Sequence, residues 1–310
     1  MKKEEFYYLS SDNKTNIHTV MWLPEGNIKG VVQIVHGITE NIFRYEQLAE
    51  FLTSNNIAVI GNDSIGHGLS INNTKMYFGP TGSWNFIVKD VIKLKRIIEE
   101  KLNIKDIILL GFSLGSFVVR TISIDYKNEY NKLILVGTGY LSKIEFKLAN
   151  FMTNKEIKKY GDDKCTDTIK KLAFDTYNKN FKPNKTEFDW LCSNEESLKK
   201  YIDDDLSYKQ ITGGLFRELL FGMNYTCTAK NIEKMNKNIK ILMLSGDKDA
   251  VGKNGKGVNK LFNLYKKKGI ENIELKLYNN CRHDLLHEFN YDIIQQEILE
   301  WINKQIWELL

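Results

Sequence analysis

The sequence predicts an α/β protein in which a mostly parallel, doubly wound sheet carries an inserted helical segment. Three observations favour this fold class. Short apolar runs rich in β-branched residues alternate with longer helical patterns, as in parallel sheets whose strands are joined by helices. Several runs are apolar on both faces, which is typical of strands covered by helices on both sides. The alternation stops near residue 141 and resumes near residue 231.

Eight strands are expected, and the first two form a hairpin. The polar stretch from Ser11 to Asn16 separates the first two apolar runs and predicts an antiparallel turn. Helical patterns lie between the later runs, at residues 45–54, 84–101 and 114–124. The predicted strands are residues 6–10, 17–23, 30–37, 57–63, 106–112, 132–138, 239–246 and 271–278.

The interruption of the sheet pattern predicts two structural parts. Residues 1–140 and 231–310 are expected to form the sheet core. Residues 141–230 are expected to form a helical cap, because so long a stretch is not a loop in a compact domain. Two apolar faces recur there at helical spacing. The first is Leu141, Ile144, Phe146, Leu148, Ala149, Phe151 and Met152, and the second is Leu215, Phe216, Leu219, Leu220 and Met223.

Composition and charge exclude several classes of protein. The 310 residues carry a net charge of +5 with both signs spread along the chain, so no nucleic-acid partner is expected. Four cysteines lie far apart without a CxxC pair, which argues against a disulfide scaffold or zinc ribbon and favours a reducing compartment. No apolar stretch follows the amino-terminal lysines, and no run reaches about 18 apolar residues. We therefore expect a cytoplasmic protein, with its oligomeric state left open.

The segment Gly-Phe-Ser-Leu-Gly, from Gly111 to Gly115, predicts a nucleophilic serine. An apolar strand precedes it and a helical pattern follows, and a serine on such a sharp turn is presented at the carboxyl end of a sheet. The glycines permit a strained backbone and close packing beside Ser113. The alternative is a glycine-rich turn with an inert serine.

A serine hydroxyl also needs a base that a carboxylate orients. On turns of this kind the acid and then the base follow the serine along the chain, each after a later strand. His283 follows the last predicted strand and is the expected base. Asp247 and Asp249 both follow the preceding strand, and spacing alone does not separate them.

Acyl transfer further needs two donors directed at the oxyanion. The backbone N–H of Leu114 opens the helix after the serine, and Ile38 in the loop after the third strand is the natural second donor. The other histidines of this region are expected to be structural, His36 and His67 as loop residues and His18 as a surface position on a strand.

A metal site is not expected from the remaining histidine pattern. His283 and His287 have the spacing of a zinc-binding helix, but Asp284 stands where such helices carry a glutamate base.

Five stretches together resemble the monoacylglycerol lipase and bacterial lysophospholipase branch of the α/β-hydrolase superfamily, also described as serine-aminopeptidase-like. The resemblance covers nearly the whole chain and implies an α/β-hydrolase fold with a helical cap. It implies Asp249 as the acid, His283 as the base, and Ile38 and Leu114 as the oxyanion donors. The stretches are residues 36–52, 62–70, 111–116, 245–252 and 281–288, and residues 201–220 are similar to the cap of that branch.

The resemblance implies hydrolysis of carboxylic esters of single-chain lipids, such as monoacylglycerols or lysophospholipids, through an acyl-enzyme and without cofactor or metal. The second cap face, represented by Leu215, Leu219 and Met223, is then expected to bind the acyl chain. The first cap helix is expected to contact an anionic lipid surface, because residues 141–160 carry five lysines and two glutamates. The simpler alternative is that both faces pack on each other and on the sheet.

Three other functions remain open at this point. The same triad would serve a carboxylesterase of small esters. It would also serve an aminopeptidase-like amidase, in which the acids around Asp203 hold the substrate amine. A non-catalytic protein of this fold is the third alternative.

Overall fold

Eight strands form one sheet in the structure, a computed structural model that describes residues 1–307. The strands are β1 (Lys2–Leu9), β2 (Asn16–Leu23), β3 (Gly30–Val35), β4 (Ile57–Asn62), β5 (Ile107–Phe112), β6 (Lys132–Val136), β7 (Lys240–Gly246) and β8 (Ile273–Tyr278). The helices are α1 (Glu46–Ser54), α2 (Trp84–Leu102), α3 (Leu114–Asp125), α4 (Lys143–Tyr160), α5 (Asp167–Lys170), α6 (Glu195–Asp203), α7 (Gly213–Cys227), α8 (Ala229–Ile232), α9 (Lys256–Lys267) and α10 (Tyr291–Trp307).

The sheet has the order β1-β2-β4-β3-β5-β6-β7-β8. Strands β3 to β8 pair in parallel, whereas β1 with β2 and β2 with β4 pair antiparallel, so the predicted hairpin is confirmed. Every residue of β3, β4, β5 and β6 is buried, as their two-sided apolar sequences predict. Each predicted strand has a counterpart here, which confirms the mostly parallel α/β class.

Helices cover both faces of the sheet. Side chains of α2, α3 and α9 belong to one apolar core, and side chains of α1 and α10 to a second core on the opposite face. Strands β3 and β5 alternate between the two, with Val31 and Leu109 in the first core and Val32 and Leu110 in the second. This arrangement brings the loops after β3, β5, β7 and β8 to one edge of the sheet.

Helices and loops fill the stretch between β6 and β7, apart from one isolated bridge between Cys165 and Thr212. Helix α4 begins at a capping box formed by Ser142 and Glu145. Helix α7 packs on α4 and α3, and its Glu218 carboxylate accepts the backbone N–H of Trp84 at 2.9 Å, at the start of α2. The division into a core and a cap at residues 140/141 and 230/231 stays a prediction.

Candidate active site

The backbone turns sharply at Ser113, between the end of β5 and the start of α3. Its φ of 49° and ψ of −116° are costly for a residue with a side chain, which marks a strained position. A Cβ atom at Gly111 would lie 2.5 Å from the carbonyl oxygen of Gly115, and one at Gly115 would lie 2.0 Å from that of Val35. Both glycines are therefore required by close backbone packing around the serine.

The side chains of Ser113 and Asp249 contact opposite nitrogen atoms of the His283 imidazole. The Nε2 atom of His283 lies 2.9 Å from Ser113 Oγ, and its Nδ1 atom lies 2.9 Å from Asp249 Oδ1. All three side chains are buried. The Asp249 carboxylate also accepts the Val251 N–H at 2.9 Å and the Ser245 hydroxyl at 3.2 Å, so its orientation is fixed before a substrate arrives.

Asp247 lies in the same loop but has a different partner. Its Oδ1 atom accepts the backbone N–H of Asn280 at 2.8 Å, which ties the loop after β7 to the loop after β8. Of the two acids that spacing left open, the structure brings Asp249 to His283.

Two aromatic rings enclose the imidazole of His283. The Phe112 ring centroid lies 5.1 Å from it, and that of Trp190 lies 5.3 Å from it. Trp190 belongs to the segment 189–193, which accepts hydrogen bonds from both chain neighbours of His283. Asp284 donates its N–H to the Leu191 carbonyl at 2.6 Å, and the Arg282 guanidinium donates to the carbonyls of Asp189 and Cys192. No motif or spacing in the sequence indicates this contact.

The loop that contains Ile38 is held by a buried carboxylate. Glu40 accepts the Gly37 N–H at 2.5 Å and the Tyr45 hydroxyl at 2.7 Å through Oε1. Through Oε2 it pairs with Arg44 at 3.0 Å. The structure therefore places Ile38 in a braced loop beside Ser113, while Leu114 begins α3, where the first N–H groups have no partner within the helix. Their role as oxyanion donors stays a prediction.

A cavity of about 570 Å³ lies beside Ser113 and is lined mainly by apolar side chains. Contact of Leu219 and Met223 with a substrate stays a prediction, but both residues of α7 are in the cavity wall. Leu215 is not, because its side chain has 0% exposure and packs within the core, so the expectation that it contacts substrate is corrected. The wall also includes Phe117, Leu141, Leu148, Met152, Phe174, Phe216 and Leu220.

A much smaller recess of about 10 Å³ also reaches Ser113, and its wall combines apolar side chains with charged and hydroxyl groups. Arg44 bridges Glu40 and Asp284 there, with an Nη2 to Oδ2 distance of 2.8 Å to the latter. Burial opposes ionisation of Asp284, but the charges of His287 and Arg44 outweigh burial and lower its pKa. Three residues are shared by the walls of both spaces, so the nucleophile lies where the two spaces meet. They are Ile38, Ser113 and Trp190.

Two of the other histidines have the structural contacts expected of loop residues. His36 bonds the Gly37 carbonyl through Nδ1 at 2.7 Å and accepts the Ser64 N–H through Nε2 at 2.9 Å. His67 is buried beside it, and burial lowers the pKa of His67 to about 3.

The expectation for His18 is wrong. The side chain is fully buried because the neighbouring strand and the rings of Tyr7 and Phe43 cover it. Its Nδ1 atom contacts Asp63 at 2.9 Å and its Nε2 atom contacts Glu5 at 3.1 Å.

His287 and His283 have separate partners. The Nδ1 atom of His287 lies 2.8 Å from Asp284 Oδ1, and its Nε2 atom lies 2.9 Å from the Arg44 carbonyl oxygen. Across residues 1–307 no three His, Cys, Asp or Glu side chains are grouped as a metal site requires. Within that same range, none of the helices is long and apolar enough to span a bilayer.

A family model described as serine aminopeptidase, S33, matches residues 26–290. A monoglyceride lipase homolog of monkeypox virus is 24% identical over 297 residues, which cover 94% of this chain and 95% of that protein. The monoglyceride lipase of Mus musculus is 22% identical over 292 residues, covering 92% and 86% of the two chains.

A solved structure supports the same fold. The carboxyl esterase of Bacillus coagulans superposes with a TM-score of 0.88 at 21% identity, over 99% of each chain. The predicted α/β-hydrolase fold is thereby confirmed.

Proposed function

This chain belongs to the serine aminopeptidase (S33) family of α/β-hydrolases, and from that premise we propose that it is a serine ester hydrolase acting on single-chain lipid esters. The observation that carries the proposal is the buried contact series from Ser113 Oγ through His283 to Asp249, with both distances at 2.9 Å. A hydroxyl, a base and a carboxylate in this order form the arrangement that activates a serine for acyl transfer.

The reaction follows from these positions. Ser113 Oγ attacks the ester carbonyl carbon while His283 Nε2 takes its proton, and Asp249 stabilises the imidazolium that forms. The negative charge on the carbonyl oxygen is bound by the backbone N–H groups of Leu114 and Ile38. His283 then gives the proton to the leaving alcohol, which leaves the acyl group on Ser113. A water molecule deprotonated by His283 releases the carboxylic acid in the same way.

The walls around Ser113 support a lipid ester as substrate. A cavity of about 570 Å³ lies within the range of ligand pockets and offers Leu219 and Met223 to an acyl chain. The recess on the other side of Ser113 measures about 10 Å³, which is room for about one water molecule and not for an alcohol head group. The support for a lipid ester therefore comes from the acyl end of the substrate.

Amide hydrolysis receives less support from the cavity. The acids expected to hold a substrate amine lie elsewhere: Asp204 accepts the side-chain amide of Asn41 at 2.7 Å. The cavity wall contains the carboxylate of Glu145, whose Oε1 atom lies 2.6 Å from Lys253 Nζ. Burial opposes ionisation of Glu145, but hydrogen bonds from Lys253 and Ser142 outweigh burial and lower its pKa to about 2. A carboxylate already paired in this way is a poor partner for an amine.

We also propose that α4 docks the protein on an anionic lipid surface. Ile144, Leu148 and Phe151 are 80%, 62% and 69% exposed and follow one another at helical spacing. The exposure of Ile144 and Phe151 counts against the alternative in which both cap faces pack on each other and on the sheet. Lysines flank them along the helix, which suits an interfacial helix.

The decisive experiment compares Ser113→Ala with the wild-type protein in fluorophosphonate labelling and in a panel of p-nitrophenyl esters from acetate to palmitate. We expect the variant to lose both labelling and hydrolysis while its melting temperature is retained, since alanine fits the turn as serine does. Activity above a few per cent of wild type in this variant would reject Ser113 as the nucleophile. Faster turnover of aminoacyl-naphthylamides than of naphthyl esters would favour the amidase instead.

A further inference from the structure

The peptide that joins Ser113 to Leu114 is held by hydrogen bonds at its carbonyl oxygen. Ser116 donates to this oxygen twice, from its backbone N at 2.9 Å and from its Oγ at 2.6 Å. A peptide unit is planar, so its carbonyl and its N–H point in opposite, rigidly linked directions. Fixing the Ser113 carbonyl therefore fixes the direction of the Leu114 N–H, which the proposed mechanism uses as an oxyanion donor.

The Ser116 hydroxyl is itself held by a buried series of hydrogen bonds. Its Oγ lies 2.9 Å from Thr138 Oγ1, and Arg120 Nη1 donates to Thr138 Oγ1 at 3.2 Å. A hydroxyl has one proton to donate. The Ser116 hydroxyl can donate that proton to the Ser113 carbonyl at 2.6 Å or to Thr138 Oγ1 at 2.9 Å, and the contact with the carbonyl is the shorter one. Arg120 holds Thr138 Oγ1, so the Ser116 side chain is kept beside the turn at Ser113.

Arg120 anchors this series from a fully buried position. Its guanidinium also donates to the Tyr265 hydroxyl at 3.1 Å, to the Gly139 carbonyl at 3.0 Å and to the Thr226 carbonyl at 3.0 Å. These partners lie just after β6, at the end of α7 and in α9. A buried cation is tolerated only when its N–H groups are bonded, so the guanidinium is held firmly in place.

We propose that Ser116 is a positioning residue of the oxyanion hole, and that Thr138 and Arg120 keep its Oγ beside the Ser113 carbonyl. The proposal rests on the proposed function, because it assumes acyl transfer at Ser113. An oxyanion donor is effective only when it is aligned before the reaction, since realignment would cost part of the stabilisation it supplies. Without the hydroxyl, the backbone N–H of Ser116 alone holds the carbonyl, and the peptide gains freedom to rotate.

The test is Ser116→Ala, with Ser123→Ala as a matched control. Ser123 lies on the same helix, is buried, and donates its hydroxyl to the carbonyl three residues earlier, that of Arg120, at 2.8 Å. We expect Ser116→Ala to lower kcat about tenfold with KM unchanged, a fraction of the loss caused by removing a whole donor. Ser123→Ala should leave kcat within about twofold of wild type.

A tetrahedral inhibitor separates donor alignment from general packing. Addition of Ser113 Oγ to an alkyl trifluoromethyl ketone forms the Oγ–C bond, breaks the carbonyl π bond and passes the serine proton to His283, which leaves an oxyanion. We expect the inhibition constant of this ketone to rise in Ser116→Ala by the same factor as kcat falls. Thr138→Val should reproduce part of both losses, whereas Thr138→Ser should behave as wild type because it keeps the hydroxyl. The double variant Ser116→Ala with Thr138→Val should lose less than the product of the two single losses.

Two results would overturn the proposal. One is a Ser116→Ala variant that behaves as Ser123→Ala does in kcat and in ketone binding. The other is a loss in Ser116→Ala that appears in KM or in the melting temperature with ketone affinity unchanged. Failure of the proposed function has a different signature, because Ser113→Ala would then stay active whatever Ser116 does.

Discussion

The indole of Trp190 lies over the imidazole of His283, with ring centroids 5.3 Å apart and ring planes inclined at 35°. The indole also contacts the rings of Phe174 and Tyr177, so it lies between the segment that precedes α6 and the base. Hydrogen bonds from both neighbours of His283 to the segment 189–193 hold this contact in place. The base is therefore positioned from two directions, by Asp249 in the loop after β7 and by Trp190 in the segment between β6 and β7.

Trp190→Ala should lower kcat/KM, by about tenfold or more, because the imidazole loses one of the two rings that limit its motion. A buried tryptophan truncated to alanine also costs about 3–5 kcal/mol of stability, so the melting temperature should fall. Trp190→Phe distinguishes the two effects. The indole Nε1 has no hydrogen-bond partner within residues 1–307, so phenylalanine sacrifices no bond and should retain most activity. Equal activity in wild type and Trp190→Ala at a temperature where both are folded would contradict this role.

Asp249→Asn should reduce kcat by about three to four orders of magnitude, since an amide cannot stabilise the imidazolium and favours the wrong tautomer of His283. Asp247→Asn is the matched control, two residues away in the same loop. It should change kcat by less than about threefold, because Asp247 binds the Asn280 N–H and has no contact with His283. Steady-state hydrolysis of one ester by both variants measures the difference. The reverse order of losses would refute the assignment of Asp249.

Leu219→Glu should impair long esters far more than acetate, because it places a charge in the wall of the apolar cavity. In the wild type kcat/KM should rise with acyl length, since each buried methylene contributes up to about 0.8 kcal/mol. Phe221→Glu supplies the control on the same helix, as Phe221 is exposed and outside the cavity wall. The ester panel from acetate to palmitate measures both. If acetate is the best substrate of wild type, the protein is a small-ester carboxylesterase.

Much of this architecture could be predicted because it is local. The two-sided apolar strands and the turn at Ser113 are visible in short windows of sequence, and the position of His283 follows from the order of the strands. Asp247 and Asp249 could not be separated by spacing, because both leave the same strand end. What separates them is the pairing of Asp247 with the backbone of Asn280, which depends on how two loops meet.

The rest depends on contacts between distant parts of the chain. Trp190 reaches His283 only after β7 and β8 have returned the chain to the same edge of the sheet. The strand pattern alone predicts a surface position for His18, but strand β1 and Phe43 bury it. Leu215 and Leu219 share one apolar stripe in sequence, yet a turn of helix separates a core position from a cavity wall.

The stability of the protein should depend on pH through His18. A neutral imidazole donates one hydrogen bond, so contact with both Asp63 and Glu5 is satisfied only when His18 is protonated. Burial opposes protonation, but the hydrogen bonds and charges of these two carboxylates outweigh it and raise the pKa of His18. The stabilisation is then fully present below the unfolded-state pKa, about 6.5, and is lost as pH rises through the higher folded-state pKa.

Urea unfolding from pH 5.5 to 9 measures this dependence against His18→Gln, which cannot titrate. The free energy of unfolding of wild type, minus that of the variant, should be constant at low pH and fall as pH rises above about 6.5. Glu5→Gln should reduce the fall, because it removes one of the two acceptors. A difference that stays constant across the whole range would show that His18 does not couple to folding.

Replacing Ile144 and Phe151 together by serine should release the protein from anionic vesicles while leaving hydrolysis of a short soluble ester unchanged. Both side chains are mostly exposed and lie outside the cavity wall, so their removal costs the fold little, but each supplies apolar area to an interface. Lysines of α4 near a phosphatidylserine surface contribute about 1 kcal/mol each, and salt screens that attraction. Sedimentation with vesicles of phosphatidylcholine and phosphatidylserine should therefore retain wild type at low salt and less of it at high salt.

Leu277→Ser with Ile293→Ser is the matched control, since both side chains are exposed apolar residues outside the cap segment, on β8 and α10. That control should sediment as wild type does. If the control is released as much as the α4 variant, or if wild type never sediments, α4 is not a membrane-docking helix. The assignment of the triad at Ser113 would be unaffected by either result.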